Sequence, residues 1–253
     1  FYKDKTVLLT GATGFKGSWM ALWLHEMGAN VIDYSLAPLY DEDHFNLLNL
    51  ENKITHVRAD ILDLDKLTNV FNKYNPEIVF HLAAQALVRL SYDNPKLTFD
   101  TNVAGSVNVL EAIRASDSVS SFVYVTSDKA YKNKEWTWGY RENDELGGHD
   151  PYSASKAAAE IVFSSYNDSF FSKKEDIGVG TVRAGNVIGG GDWAQDRIVP
   201  DCIRSLMANK SIVIRNPHAT RPWQHVLEPI SGYLLLGMKL YQDPDNYSGA
   251  WNF

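Results

Sequence analysis

The chain has 253 residues, 45% of them hydrophobic, with a formal net charge of −7 and an isoelectric point near 5.5. That acidity argues against a phosphate-neutralising nucleic-acid surface, and the single cysteine, Cys202, rules out an internal disulfide and suits a reducing compartment. No apolar run is long enough to span a bilayer. The N-terminal stretch FYKDKTVLLT carries no signal-peptide core and enters a strand at once, so a cytoplasmic protein is expected, with residues preceding Phe1 because no initiator methionine is present.

The first expected strand, Thr6–Thr10, runs into the glycine turn Gly11-Ala12-Thr13-Gly14-Phe15-Lys16-Gly17. A helix follows, on which Met20, Trp23 and Leu24 recur at helical spacing. Strands are then expected over Val31–Ser35, Ile54–Asp60, Ile78–Leu82, Phe122–Thr126 and Val179–Ala184, with helices over Leu62–Tyr74 and Asp100–Ala115 between them. Such alternation predicts a Rossmann-type α/β fold, a doubly wound parallel sheet with helices on both faces. The nearly unbroken apolar strands IVFHL and FVYVT suit that burial. From Gly185 the texture turns glycine-rich and loop-like. Residues 1–184 are therefore expected to form the main Rossmann-type domain, and 185–253 a smaller C-terminal substrate-facing lobe interwoven with it. The closing WNF is expected to begin a further strand, so that the fold continues past Phe253.

Glycines at a strand-to-helix turn let the backbone approach a pyrophosphate seated on the helix N-terminus. The spacing G-x-x-G-x-x-G resembles the extended branch of the short-chain dehydrogenase/reductase superfamily. That resemblance implies cofactor contacts from Gly11, Thr13, Gly14, Phe15, Lys16 and Gly17. It adds Asp60 and Ile61 after the third strand, Leu82, Ala83, Ala84 and Gln85 after the fourth, and Asn102 and Thr126. Asp33 stands 19 residues beyond Gly14, near the distance of a ribose-holding acid, yet in extended members that acid falls at Ser35. Asp33 is equally read as a local hydrogen-bonding residue. No arginine follows the second strand to take a 2′-phosphate, which favours NAD over NADP.

Tyr152 and Lys156 stand at i and i+4 in YSASK, on one face of an expected helix. An ammonium beside a phenol favours the phenolate, making Tyr152 a candidate base, with Lys156 tuning it and gripping the nicotinamide ribose. Ser127, closing the fifth strand, completes the superfamily's hydroxyl–phenol–ammonium triad. Asp128 and Lys129 follow it. Nucleotide-sugar 4,6-dehydratases carry two proton-handling groups at this point, most often Asp-Glu. The Asp-Lys pair, together with TSDKAYKNKEWTWGYREND, DPYSASK and VRAGNVIGGGDWAQDRIVPD, resembles the CDP-glucose 4,6-dehydratase family over most of the chain.

The resemblance implies oxidation of the sugar at C4, removal of the C5 proton by Lys129, and protonation of the departing C6 hydroxyl by Asp128. Asn186 and Arg221 are the implied diphosphate contacts, with Arg89 and Arg197 as further candidates and Val199 beside the base. It also implies a homodimer built on the helices around Asp100–Ala115 and Pro151–Tyr166, and a part in deoxysugar supply for lipopolysaccharide O-antigen. The histidines show no metal-ligand spacing, so no metal is expected. Other nucleotide-sugar dehydratases, 4-epimerases and a catalytically silent dinucleotide-binding regulator remain alternatives.

Overall fold

The computed structural model describes residues 1–174 and 176–253. It opens with β1 (Thr6–Thr10), α1 (Phe15–Glu26), β2 (Asn30–Ser35), the short α2 (His44–Leu47), β3 (Thr55–Arg58), α3 (Leu64–Tyr74) and β4 (Ile78–His81). The helices α4 (Val88–Asp93), α5 (Pro95–Phe99) and α6 (Gly105–Arg114) lead to β5 (Ser121–Val125), and α7 (Pro151–Ser169) leads to β6 (Gly178–Arg183). There follow β7 (Asn186–Ile188), α8 (Ile198–Met207), β8 (Trp223–His225), α9 (Leu227–Gln242), α10 (Pro244–Tyr247) and β9 (Gly249–Asn252).

Seven strands form one sheet in the order β3-β2-β1-β4-β5-β6-β9, every neighbouring pair parallel. Because side chains alternate across a strand, adjacent residues feed opposite cores. Leu9, Phe80, Val123 and Val182 pack with Met20 and Leu24 of α1 and Ile230 and Leu234 of α9. Leu8, Val79, Phe122 and Val179 pack on the other face with Phe71 of α3, Leu110 of α6 and Phe163 of α7. Both faces are thus covered, which explains the absence of polar alternation in these strands.

The strand order reverses between β1 and β4, which opens a crevice at the carboxyl ends of the strands. The glycine turn, the Leu82–Gln85 segment and Ser127 all leave the sheet along this rim.

The helix expected over Asp100–Ala115 begins earlier, at Pro95, and passes through a π-helical turn over Asp100–Ala104. Residues 186–225 stand apart from the main sheet, as the parallel β7–β8 pair with α8 between its strands. The chain then returns: α9 packs beneath β5 and β6, and β9, carrying Trp251 and Asn252, pairs with β6. β9 thus forms one edge of the seven-stranded sheet.

Candidate active site

The glycine turn is shaped by close approach. Gly11 has φ +84°, and a Cβ there would stand 2.8 Å from the Ala83 nitrogen. A Cβ on Gly17 would lie 2.0 Å from the Gly11 carbonyl oxygen, so the turn and helix can close only without one. Gly14 is less crowded: a Cβ there would meet the Gly11 carbonyl oxygen at 3.4 Å, an ordinary contact. It begins α1 with no side-chain cap and no acid in the first turn. Uncapped amides and the helix dipole consequently meet the crevice, a fit for a pyrophosphate.

Asp33 settles into a structural role. Fully buried, it accepts from the Ala12 amide (3.0 Å), from Ser35 Oγ (2.7 Å) and from His56 Nδ1 (2.6 Å). It anchors the glycine turn, and Ser35 meets the rim with its hydroxyl already donating to Asp33. Asp60 is exposed and accepts from the Leu62 amide at 2.9 Å, while Ile61 is buried. Thr13, Leu82, Ala83 and Ala84 are partly buried along the rim.

Three expected cofactor contacts have side chains engaged within the protein. Asn102 is fully buried, its amide donating to Gln85 O (3.0 Å) and Ser155 Oγ (2.8 Å) and accepting from the Gln85 amide (2.8 Å). The Gln85 side chain donates to Leu87 O (3.0 Å) and Thr98 Oγ1 (2.9 Å) and accepts from the Leu87 amide (2.6 Å). Thr126 Oγ1 donates to Glu160. Buried polar groups must find partners, and these side chains find protein ones.

The triad assembles from β5 and α7. Asp150 caps α7 by accepting from Ser153 N (2.9 Å), and Pro151 starts the helix, which puts Tyr152 in its first turn. The Tyr152 amide donates to Ser91 Oγ at 3.2 Å. Burial pushes the Tyr152 phenol above its ordinary value, against the lowering effect of the Ser127 hydroxyl beside it, and the Asp128 carboxylate raises it further. Burial is the leading influence on the phenol in the free protein. Lys156 is 2% exposed and is itself brought down to about 8 by burial and by the nearby Lys16 ammonium, against the pull of Glu160. Ser127 Oγ donates to Asp128 Oδ1 (3.1 Å) and accepts from the Lys129 amide (3.2 Å), so hydroxyl, carboxylate and amine share one half-buried 3₁₀ turn.

Beneath the triad lies a neutral histidine. His81 contacts Thr10 Oγ1 (2.7 Å) and Ser106 Oγ (3.0 Å), and burial, with Lys156 nearby, holds it down at about 3. Beside it runs a buried ion pair that sequence reasoning missed. Glu160 accepts from Arg183 Nη2 (2.7 Å), Arg183 Nε (3.0 Å) and Thr181 Oγ1 (2.9 Å). Arg183 reaches on to Tyr131 Oη and the Glu142 carbonyl, each at 2.9 Å. Glu160 stands one helical turn beyond Lys156, which is the only local signal that could have marked it.

The expected substrate residues are scattered along the outer rim. Arg197 precedes α8 and pairs with Asp192 at 3.0 Å, and its charge reaches both Lys16 and Tyr152. Val199 lies exposed in the first turn of α8, and Asn186 opens β7 beside Trp223. Arg89 instead pairs with Asp196 (3.0 Å), which also takes Arg215 (2.8 Å), and the exposed Arg221 donates to the Thr220 carbonyl (2.6 Å).

Residues 8–250 match the family described as GDP-mannose 4,6 dehydratase. The sequence is 49% identical to a CDP-glucose 4,6-dehydratase of Salmonella typhimurium over 257 aligned residues, which cover all of this chain and 72% of that protein. Among solved structures, UDP-glucose 4-epimerase of Thermotoga maritima with UDP-glucose superposes with a TM-score of 0.84 at 22% identity, covering 98% of this chain and 76% of that one. A complex of MoeE5 with UDP-glucose and NAD superposes with a TM-score of 0.79 at 25% identity, covering 98% and 75% respectively.

Proposed function

The chain belongs to the GDP-mannose 4,6 dehydratase family, and from that premise we propose that it removes water from a nucleotide sugar, converting CDP-D-glucose to CDP-4-dehydro-6-deoxy-D-glucose. The observation that carries this reading is the single turn joining Ser127, Asp128 and Lys129 at the crevice rim beside Tyr152. Redox chemistry alone needs the hydroxyl, the phenol and Lys156. Elimination needs a further base and a further acid, and Lys129 and Asp128 supply those two chemistries from adjacent positions.

The bound cofactor would be NAD, which supplies reversible redox at the sugar carbons. Gly11, Gly14 and Gly17 would take its diphosphate, Ser35 and Asp60 its adenosine end, and Lys156 its nicotinamide ribose. Tyr152 removes the C4 hydroxyl proton, with Ser127 holding the same oxygen. Since burial disfavours the phenolate, positive charge entering the crevice works in its favour. Lys129 then takes the C5 proton while Asp128 protonates the C6 oxygen as it leaves. Asn186 and Arg221 would contact the substrate's diphosphate, with Arg89 and Arg197 as further candidates.

A panel of CDP-, UDP-, dTDP- and GDP-glucose, read by product mass, tests the reading. Loss of one water from the CDP sugar is expected; retained mass would mean epimerisation, and preferred turnover of another nucleotide would overturn the choice of base. Lys129→Met should abolish exchange of the C5 hydrogen with heavy water, while Asp128→Asn retains exchange and slows water loss. Each should reduce turnover on the order of a hundred- to ten-thousand-fold.

A cytoplasmic homodimer is proposed as well; among the described residues no helix is long and apolar enough to cross a membrane. Its support is the exposed apolar side chains of Leu97 and Phe99 on α5 and Ile161 on α7. Light scattering showing a monomer at micromolar concentration would refute it.

A further inference from the structure

β4 ends its apolar run on a histidine, and all four of its residues are buried. His81 is 0% exposed, and each of its ring nitrogens meets a hydroxyl. Nδ1 lies 2.7 Å from Thr10 Oγ1 at the end of β1, and Nε2 lies 3.0 Å from Ser106 Oγ on α6. The contacts run on in both directions. The Ala83 amide donates to Thr10 Oγ1 at 3.2 Å. Ser106 Oγ donates to the Asn102 carbonyl at 2.8 Å, and Tyr124 Oη lies 2.6 Å from Ser106 Oγ and 3.2 Å from the same carbonyl. The Asn102 side chain in turn holds the Gln85 main chain and reaches Ser155 Oγ of α7. A continuous buried chain of hydrogen bonds therefore joins the crevice rim at Ala83 to the helix that carries Tyr152 and Lys156.

Counting hydrogens fixes the direction of this chain. A backbone N–H can only donate, so Thr10 Oγ1 accepts from Ala83. Among the described residues, His81 Nδ1 is the one acceptor within reach of the fully buried Thr10 hydroxyl, so the Thr10 proton goes there. Nδ1 then carries no hydrogen, and a neutral imidazole must hold its hydrogen on Nε2. Nε2 donates to Ser106 Oγ, whose own proton goes to the Asn102 carbonyl. Tyr124 completes the set by donating to Ser106 Oγ or to that carbonyl. The opposite tautomer, or an imidazolium, would leave the Thr10 proton buried without a partner. Burial, with Lys156 nearby, holds His81 at about 3, in keeping with a neutral ring.

We propose that His81, as the Nε2–H tautomer, is a positioning residue for the cofactor, aiming the Thr10 hydroxyl so that Thr10 Oγ1 clamps the Ala83 amide against the glycine turn. The fit there has no slack: a Cβ on Gly11 would stand 2.8 Å from the Ala83 nitrogen and 3.1 Å from the Leu82 carbonyl carbon. A displaced Ala83 would therefore disturb the turn that would take the NAD diphosphate. The far end of the chain fixes Gln85 to α7 through Asn102. Apolar packing alone would let these segments slide, whereas a fully satisfied polar chain sets one arrangement. The inference rests on NAD as the cofactor and is independent of which sugar is turned over.

The free protein gives the first test, with no variant and no cofactor. NMR of the labelled histidine ring nitrogens at neutral pH should show a pyridine-type Nδ1 and a pyrrole-type Nε2 for His81. Its signals are assigned through the Tyr124 ring, which stacks on it at 4.7 Å. The reverse pattern would overturn the proposal. Thr10→Val keeps the shape and removes the hydroxyl. In a fluorescence titration its Kd for NAD should rise roughly ten- to a hundred-fold, as expected when positioned groups are misplaced. Thr10→Ser keeps the oxygen and should bind within about threefold of the parent. A Thr10→Val protein that melts lower yet binds NAD within about twofold of the parent would reduce the chain to scaffolding and overturn the proposal. So would a Thr10→Ser protein as weak as Thr10→Val. Failure of the parent itself to bind NAD would refute the cofactor assignment, on which the tautomer measurement does not depend.

Discussion

Replacing Glu160 with methionine isolates the buried ion pair beneath the triad. The carboxylate accepts from Arg183 Nη2 (2.7 Å), Arg183 Nε (3.0 Å), Thr181 Oγ1 (2.9 Å) and Thr126 Oγ1, and the two charged side chains are 3% and 5% exposed. Removing one member of such a pair leaves the guanidinium buried and uncompensated, which typically costs about 3–5 kcal/mol. For a chain of this length each kcal/mol moves Tm by about 2–4 °C, so a fall of roughly 10–15 °C is expected in a thermal melt followed by circular dichroism. The double variant Glu160→Met/Arg183→Met removes the orphaned charge and should recover most of the loss, to within about 2 kcal/mol of the parent. Glu160 is also the negative charge that opposes the lowering of Lys156, so the single variant should move the Lys156 titration below about 8. A single variant costing under about 1 kcal/mol, or a double variant no more stable than the single, would refute the claim that the guanidinium depends on Glu160.

Lys156 is held near 8 in the free protein, so below that pH its proton opposes folding, and the penalty fades between about 8 and the unfolded lysine value near 10.4. Lys156→Met should accordingly stabilise the free protein at neutral pH by on the order of 3 kcal/mol, read as a higher Tm, and the gain should vanish above about pH 10.4; a loss of stability at neutral pH would contradict this. His81, held at about 3, should show imidazole NMR shifts that stay flat across about pH 5–8, and a midpoint near 6.5 would mean its cavity is wet. Gly17→Ala meets backbone at 2.0 Å and Gly14→Ala meets nothing nearer than 3.4 Å. Only the first should lower Tm markedly, by overpacking on the order of 1–3 kcal/mol, whereas both should weaken NAD binding measured by fluorescence titration.

Whatever depends on short-range pattern was legible before folding. The parallel sheet shows in runs such as IVFHL that lack polar alternation. The crevice shows in the glycine turn, and the Tyr152–Lys156 face shows in a spacing of four. These rest on periodicity and backbone geometry within one or two elements, which neighbours in sequence impose on each other. Even the departure from the usual Asp-Glu pair at Asp128-Lys129 could be read there.

The destination of each polar side chain is a different kind of fact, decided by the register of strands and the packing of helices far apart in the chain. Asn102, Gln85 and Thr126 carry donors and acceptors that look available in sequence, yet Asn102 meets Ser155 53 residues away and Thr126 meets Glu160 34 residues away. Asp33 sits near the ribose-acid position but turns to the Ala12 amide 21 residues earlier. Lys16 reads as one more residue of a phosphate turn until α9 brings Tyr233 beneath it. The titration of Lys156 and Tyr152 belongs to the same class, since burial is the leading cause in both and no local pattern reports it. Sequence determined which chemistries stand at the crevice; the long-range fit of the elements decided which of them are free to act, because a buried polar group goes to whichever partner the fold brings within reach.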